Sequence, residues 1–369
     1  MANVRYDHFI RTTDAEHRDA VECVWDRLNE RGYIYAGKHE GWYSVSDETF
    51  YPESSTQMAL DATTGRKMVV SVETGKELEW TSELNYHFRL SEMAPRLLKF
   101  YASNPGFVVP AARHKEVVDA VSSGLADLSV SRPRSRLSWS IPVPGDPEQT
   151  IYVWLDALVN YLTVSGYPWT PRRESEGGWP ADVHVIGKDI VRFHCIYWPA
   201  FLLALDIPLP KRVLAHAHWT MNRRKMSKSS GNSVSPFNAL ERYGVDPMRF
   251  YLAREGGLVD DGDYSSESVL EVYEKCLQDG LGNLAGRVRG KKFNMRRAVQ
   301  FGSQLDLRLL EGFDEEQTCV LQDLPDRVAE KMDKLEINRA LREITSTIFE
   351  VVPPPPPFSP PTFTQYTPT

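Results

Sequence analysis

At 369 residues the chain is long enough for two or three domains with cores of their own, and its 41% hydrophobic and 25% charged residues are ordinary for a globular protein. A net charge of −7 excludes a basic field over the whole molecule, so any nucleic-acid contact must be local. Cys23, Cys195, Cys276 and Cys319 include no CxxC pair, which argues against a disulfide framework or zinc knuckle and fits a reducing compartment; no apolar run reaches the roughly 20 residues that span a bilayer.

The start, "MANVRYDHFI", reads as neither a signal nor a transit peptide. "FIRTTDAEHRDAVECVWDRLNERG" predicts a short strand entering a helix, with Thr13 and Glu16 as a capping box and Gly32 as the stop. Val21, Val24, Trp25 and Leu28 fall at helical spacing. From Tyr33 to Ser140, short aromatic-rich runs broken by Gly, Ser and Pro predict an inserted β-rich or mixed module. "TIYVWLDALVNYL" is a longer apolar segment with a period near four. "DVHVIG" and "RVLAHAHWT" read as strands on either side of a helix, "KDIVRFHCIYWPAFLLAL", the signature of a parallel α/β unit. Pro236 to about Glu350 is helical in pattern, and "VVPPPPPFSPPTFTQYTPT" can only be polyproline II or disorder.

The chemistry concentrates in "RRKMSKSSGNSV". Gly and small hydroxyl residues let a backbone approach a polyphosphate, and the ammonium groups of Lys225 and Lys228 can follow charge onto a leaving pyrophosphate. A bare KxxK is ordinarily a solvated basic loop; here it follows a predicted strand, at the carboxyl end where open α/β sheets bind ligands. Gly187 and Asp189 of "GKD" end another strand, where a Gly admits a nucleotide and a carboxylate can accept ribose hydroxyls. "HAHW" carries His216 and His218 with no third ligand, poor evidence for zinc.

"KMSKS" resembles the second signature of class I aminoacyl-tRNA synthetases, and "YVWLDALVNYL", "HVIGKDIVRFHCIYWPA" and "GNLAGR" resemble the methionyl group of that family, mitochondrial type. The similarity runs from about Phe9 to Glu350. It implies an α/β fold: a Rossmann-type parallel sheet, here incomplete, with an inserted connective module, followed by an α-helical anticodon-binding bundle. The expected parts are residues 1–32, the end of the first Rossmann half; 33–140, the insertion; 141–235, the second half with the lysine loop; 236–270, a stem-contact segment; 271–350, the anticodon-binding helices; and 351–369, a Pro-rich disordered tail. The insertion is too short for the editing domain of the isoleucyl, valyl and leucyl relatives.

The resemblance implies roles residue by residue. Lys228, with Lys225 assisting, would stabilise the transition state of amino-acid activation. Gly187, Asp189, Trp219 and Lys228 would bind ATP, supplied with Mg2+ as substrate. Trp154, Ala157, Tyr161, Ile190, Phe193, His194 and Trp198 would form the methionine pocket, a thioether being well served by an aromatic slot. Without the motif these aromatics read as core, and His194 as a hydrogen-bonded core histidine. Asn283 and Arg287, four apart on one helix face, would read the anticodon of tRNA(Met), with Arg289, Lys291, Lys292, Arg296 and Arg297 as further cations in the same run. Ser44 and Asp47 stand where zinc-binding thiolates occur in relatives, so no structural zinc is expected, nor any other metal site.

The family's His-Ile-Gly-His loop is absent; "HVIG" at His184 lacks the last His. The expectation is therefore an amino-terminally shortened methionine–tRNA ligase, a monomer of the mitochondrial matrix with no membrane partner, a bacterial cytoplasmic origin being the alternative. The competing expectations are a catalytically inactive tRNA-binding fragment and an interaction protein using "PPPPPFSPP" as a polyproline ligand.

Overall fold

The structure, a computed structural model, describes residues 2–351 except 47, 48, 52, 62, 63, 73, 171, 172, 227–230, 292, 293 and 303–314. Most of the tail expected over 351–369 thus lies outside the described residues. Two compact units emerge, Tyr6–Ala215 and a second made of Met1–Arg5 with His216–Thr369.

The first unit starts its regular structure with helix α1 (Ala15–Glu30), whose face of His17, Ala20, Val21, Val24, Trp25 and Leu28 is buried. Helical spacing of apolar residues therefore does what the sequence predicts. The expected strand before it does not form, and the capping box is corrected. Asp14 is the N-cap without a side-chain cap bond, because its carboxylate turns back to accept from the Arg11 N–H at 3.0 Å. The C-terminus ends as expected, with Gly32 at φ +75°. Tyr33 N–H donates to Leu28 C=O and Gly32 N–H to Asn29 C=O, both at 2.9 Å, a Schellman closure that satisfies two carbonyls of the last turn.

Next comes an antiparallel sheet of β1 (Ile34–Ser44), β2 (Thr49–Tyr51), β3 (Thr56–Leu60), β4 (Lys67–Ser71) and β5 (Glu77–Phe88), in the order β2-β1-β5-β4-β3. Its spine is β1 against β5, in register from Ile34 opposite Phe88 to Tyr43 opposite Glu79. This is the β-rich module expected from the aromatic-rich, turn-broken sequence. Helices α2 (Leu90–Ser103) and α3 (Ala111–Ser122) flank the short β6 (Val108–Val109). β7 (Leu128–Ser129) joins the large sheet, and β8 (Ser131–Pro133), β9 (Pro142–Val143) and β10 (Asp146–Ile151) make a small one in the order β8-β10-β9. After α4 (Val153–Val164), a third sheet forms from β11 (Val183–Gly187), β12 (Arg212–His216) and β6, in the order β11-β12-β6, with β12 parallel to β6. Between β11 and β12 the chain makes a 3-10 turn (Lys188–Ile190), a π-helical turn (Phe193–Tyr197) and α5 (Trp198–Leu205). α1, α4, α5 and this small parallel sheet share one core that includes Trp25, Leu155, Val159, Trp198, Phe201 and Val213.

In the second unit "RVLAHAHWT" turns out not to be one strand. β12 ends at His216 and β13 (Trp219–Met221) starts in another sheet, because Ala217 N–H pairs with Gly257 C=O and His218 N–H with the Asp261 carboxylate. β13 forms a hairpin with β14 (Arg224–Lys225) and lies parallel to β15 (Gly262–Asp263). The rest is helical: α6 (Pro236–Tyr243), α7 (Val245–Glu255), α8 (Ser266–Val272), a π-helical stretch (Tyr273–Gly282), α9 (Asn283–Arg289), α10 (Met295–Gly302), α11 (Glu315–Asp333) and α12 (Ile337–Val351). Ala239, Met248, Tyr251, Tyr264 and Val269 form its core. None of the described helices is long and apolar enough to cross a membrane.

Candidate functional site

α4 is apolar enough to have two distinct uses for its faces. Leu155, Leu158, Val159 and Leu162 sit in the core. Trp154, Ala157 and Tyr161, at i, i+3 and i+7, share another face and remain half-buried. The segment after β11 supplies the opposite wall. The Trp154 and Phe193 rings lie flat together, centroids 3.5 Å apart and planes 13° apart. The Tyr161 hydroxyl meets His194 Nε2 at 2.8 Å, and Trp198, fully buried, packs 6.1 Å from the Tyr161 ring. Ile190 is half-buried at the end of the 3-10 turn. Trp154, Tyr161, Ile190, Phe193, His194 and Trp198 are thus brought together, and Ala157 lies between Trp154 and Tyr161 on the same face.

The hydrogen-bond inventory assigns the tautomer of His194. Its Nδ1 lies 3.0 Å from the Ile190 carbonyl, which can only accept. Nδ1 therefore carries the proton, Nε2 is the acceptor, and the Tyr161 hydroxyl donates to it. The hydroxyl proton is then committed, and the phenol oxygen offers only lone pairs to anything in the pocket. Burial holds His194 below the usual histidine range and raises the Tyr161 phenol, so both stay neutral at physiological pH.

His184 stands behind this pair, its ring 4.0 Å from that of Tyr161. Burial, with His194 as the second cause, pushes it down to about 4. Trp179 closes the back, 6.1 Å from both His184 and Trp198, with its indole N–H on Pro208 C=O at 2.9 Å. His184 and Trp179 were not singled out from the sequence. A signal existed for His184: β11 alternates, with His184 and Ile186 buried and Val185 exposed, so the histidine had to face inward.

Gly187 closes β11, and Asp189 is exposed in the turn that follows, at the carboxyl end of a strand in the small parallel sheet.

The second unit holds the remaining candidates. Asn222 and Arg223, at φ +53° and +59°, form the two-residue turn between β13 and β14. Asp263 secures it, accepting from Arg223 N–H at 2.9 Å and from the Thr220 hydroxyl at 2.7 Å; those bonds hold its carboxyl below the usual range. Lys225 ends the hairpin exposed, its carbonyl accepting from Asn232 Nδ2 at 3.0 Å. Lys228 lies outside the described residues. Trp219 packs 5.3 Å from Tyr251, on a bed that only Gly262 permits, since a Cβ there would stand 3.0 Å from the indole. On α9, Arg287 Nε donates to Asn283 Oδ1 at 3.3 Å, with Arg287 and Arg289 exposed. Arg296 and Arg297 are exposed on α10 and Lys291 precedes it. Lys292 lies outside the described residues, as does Asp47 of the expected vacant zinc site, whose Ser44 is buried at the end of β1.

Residues 1–289 match the family model described as tRNA synthetases class I (M). The chain is 53% identical over 356 residues to a Neurospora crassa protein named probable methionine–tRNA ligase, mitochondrial, covering 94% of this chain and 57% of that one. It is 43% identical over 357 residues to the human mitochondrial methionine–tRNA ligase, covering 94% and 60%. Among solved structures, Mycobacterium tuberculosis methionyl-tRNA synthetase bound by methionyl-adenylate superposes with a TM-score of 0.80 at 40% identity, covering 95% of this chain and 68% of that one. The chain thus spans less than two thirds of the length of the Neurospora crassa and human ligases it matches.

Proposed function

The chain belongs to the class I tRNA synthetases of the methionyl group, and from that premise we propose that it carries the methionine-selecting, phosphate-handling and tRNA-reading parts of a methionine–tRNA ligase. The observation that carries the reading is the aromatic pocket on α4. Trp154 and Phe193 stack on each other, Tyr161 and His194 fix one polar point by a 2.8 Å hydrogen bond, and Trp198 packs beside Tyr161. A flexible thioether gains from sulfur–aromatic contacts on every side, while a neutral His–Tyr pair gives a charged side chain no partner.

In the proposed reaction the methionine carboxylate attacks the α-phosphorus of ATP, brought as its Mg2+ complex. A carboxylate O–P bond forms, the α–β bridging P–O bond breaks, and pyrophosphate leaves. Lys225 and Lys228 stabilise the charge that grows on the leaving pyrophosphate; one such contact is worth on the order of 3 kcal/mol. Gly187 lets the nucleotide approach the strand end, Asp189 accepts from ribose hydroxyls, and Trp219 supports adenine. A ribose hydroxyl at the 3′ end of tRNA(Met) then attacks the acyl carbonyl and AMP leaves. Asn283 and Arg287 read the anticodon, with neighbouring cations on the phosphates. The proposed parts keep their sequence bounds: 1–32 and 141–235 for the Rossmann halves, 33–140 for the insertion, 236–270 for stem contact and 271–350 for the anticodon. We further propose a monomer of the mitochondrial matrix holding no structural zinc; stoichiometric zinc in the purified protein would overturn that last point.

The test is exchange of labelled pyrophosphate into ATP. Dependence on methionine, and not on leucine or isoleucine, supports the reading. A second reading, tRNA binding without chemistry, is favoured by the exposed cations Arg287, Arg289, Arg296 and Arg297. Retained tRNA affinity with no methionine-dependent exchange would put it first.

A further inference from the structure

His17 plays no part in the reaction above, yet it is fully buried and makes two hydrogen bonds to one helix. Its Nε2 donates to Asp156 Oδ1 at 2.6 Å, and its Nδ1 lies 2.9 Å from Thr163 Oγ1. Asp156 and Thr163 are seven residues apart, two turns of α4 and about 10.5 Å along its axis. One imidazole therefore lies lengthwise along α4, gripping the stretch from Asp156 to Thr163 that carries Ala157 and Tyr161 and begins two residues after Trp154.

Helical geometry gives this grip a consequence. At about 100° per residue, Asp156 and Thr163 project in nearly the same direction, while Trp154, Ala157 and Tyr161 project roughly 110° to 170° away from it. A single contact on the back of a helix leaves its axis free to swing about that contact. Two contacts two turns apart along one line hold the direction of the axis, while the apolar packing beside them resists roll, and together they set where the side chains on the front stand. α1 adds a hook beyond the helix end, Arg27 donating to the Tyr167 hydroxyl at 3.1 Å. Apolar packing of Leu155, Leu158 and Leu162 is non-directional and tolerates a small swing of the axis; the paired bonds of His17 do not. Asp156 matters more than Thr163, being two residues from Trp154.

We propose that His17 is a positioning residue for the amino-acid pocket, setting the direction of α4 through Asp156. This rests on the methionine reading for its kinetic consequence but not for its structural one. Two isosteres separate the contacts. The Gln amide nitrogen sits as many bonds from the backbone as His Nε2, so His17→Gln keeps the bond to Asp156. His17→Asn places its amide where Nδ1 was, keeping Thr163 and losing Asp156.

The experiment uses the full chain labelled with 5-fluorotryptophan, the Trp154 fluorine resonance being identified by its loss in Trp154→Phe. The expected result is a shifted or broadened Trp154 resonance in His17→Asn and a near-native one in His17→Gln. The methionine KM should rise about tenfold or more in Asn and less than threefold in Gln, with the ATP KM within twofold in both. A resonance unmoved in Asn, or equal effects of Asn and Gln that follow their loss of melting temperature, would overturn the proposal and leave His17 a core histidine. If the unmodified chain shows no methionine-dependent exchange, the functional reading fails, and the Trp154 resonance still decides the positioning.

Discussion

Tyr161→Phe removes one oxygen and leaves the rest of the pocket in place, so its effect follows from a single bond. The hydroxyl is the donor to His194 Nε2 at 2.8 Å, and His194 is only 3% exposed. Phe keeps the ring against His184 and Trp198, so no cavity opens. What remains is a buried imidazole nitrogen with its acceptor unmet, which costs about 1–3 kcal/mol. For a unit of this size each kcal/mol lowers the melting temperature by about 2–4 °C, so a loss of roughly 2–12 °C is expected. Urea unfolding of Tyr161→Phe, His194→Leu and the double variant gives the coupling directly, expected near 1–2 kcal/mol. Additivity within about 0.3 kcal/mol would show that the hydroxyl does not serve His194, and the tautomer assignment would fall with it.

His184 sets a pH dependence. Its folded value is pushed down to about 4 from 6.5, so the unfolded chain binds more protons between those values. The stability it contributes is present above pH 6.5 and is lost as pH falls through about 4, up to about 3 kcal/mol in all. Melting at pH 5.0 and 7.5 should show a smaller loss on acidification for His184→Phe than for the unmodified chain. Gly262→Ala puts a methyl 3.0 Å from the Trp219 ring and should cost about 1–3 kcal/mol by overpacking, together with a change in tryptophan fluorescence; no cost would mean that Trp219 moves freely. Asn283→Ala and Arg287→Ala should each weaken cognate tRNA binding about tenfold or more in a filter-binding assay while leaving methionine affinity intact; unchanged tRNA affinity removes them from the anticodon site.

Sequence reasoning was strongest where a local pattern had one physical solution. The face of Val21, Val24, Trp25 and Leu28 had to be buried, and Gly32 had to close α1. The residues that the family resemblance named for a methionine pocket lie near one another on α4 and the following segment. It was weakest where the deciding partner is remote. Thr13 and Glu16 matched a capping box, but Asp14 competed for the backbone through Arg11. "RVLAHAHWT" has an unbroken strand pattern, and only Gly257 and Asp261, some 40 residues on, divide it. The His17–Asp156 bond links residues 139 apart, and nothing in either neighbourhood announces it. His184 was legible in the alternation of β11, yet the strand was read for its Gly and Asp.

The most direct measurement is calorimetric titration of the chain with L-methionine, with L-leucine as control, repeated on Trp198→Ala. The account predicts saturable binding of methionine, at least tenfold weaker binding of leucine, and loss of methionine binding in the variant. Equal binding of both amino acids, or methionine binding untouched by Trp198→Ala, would contradict it.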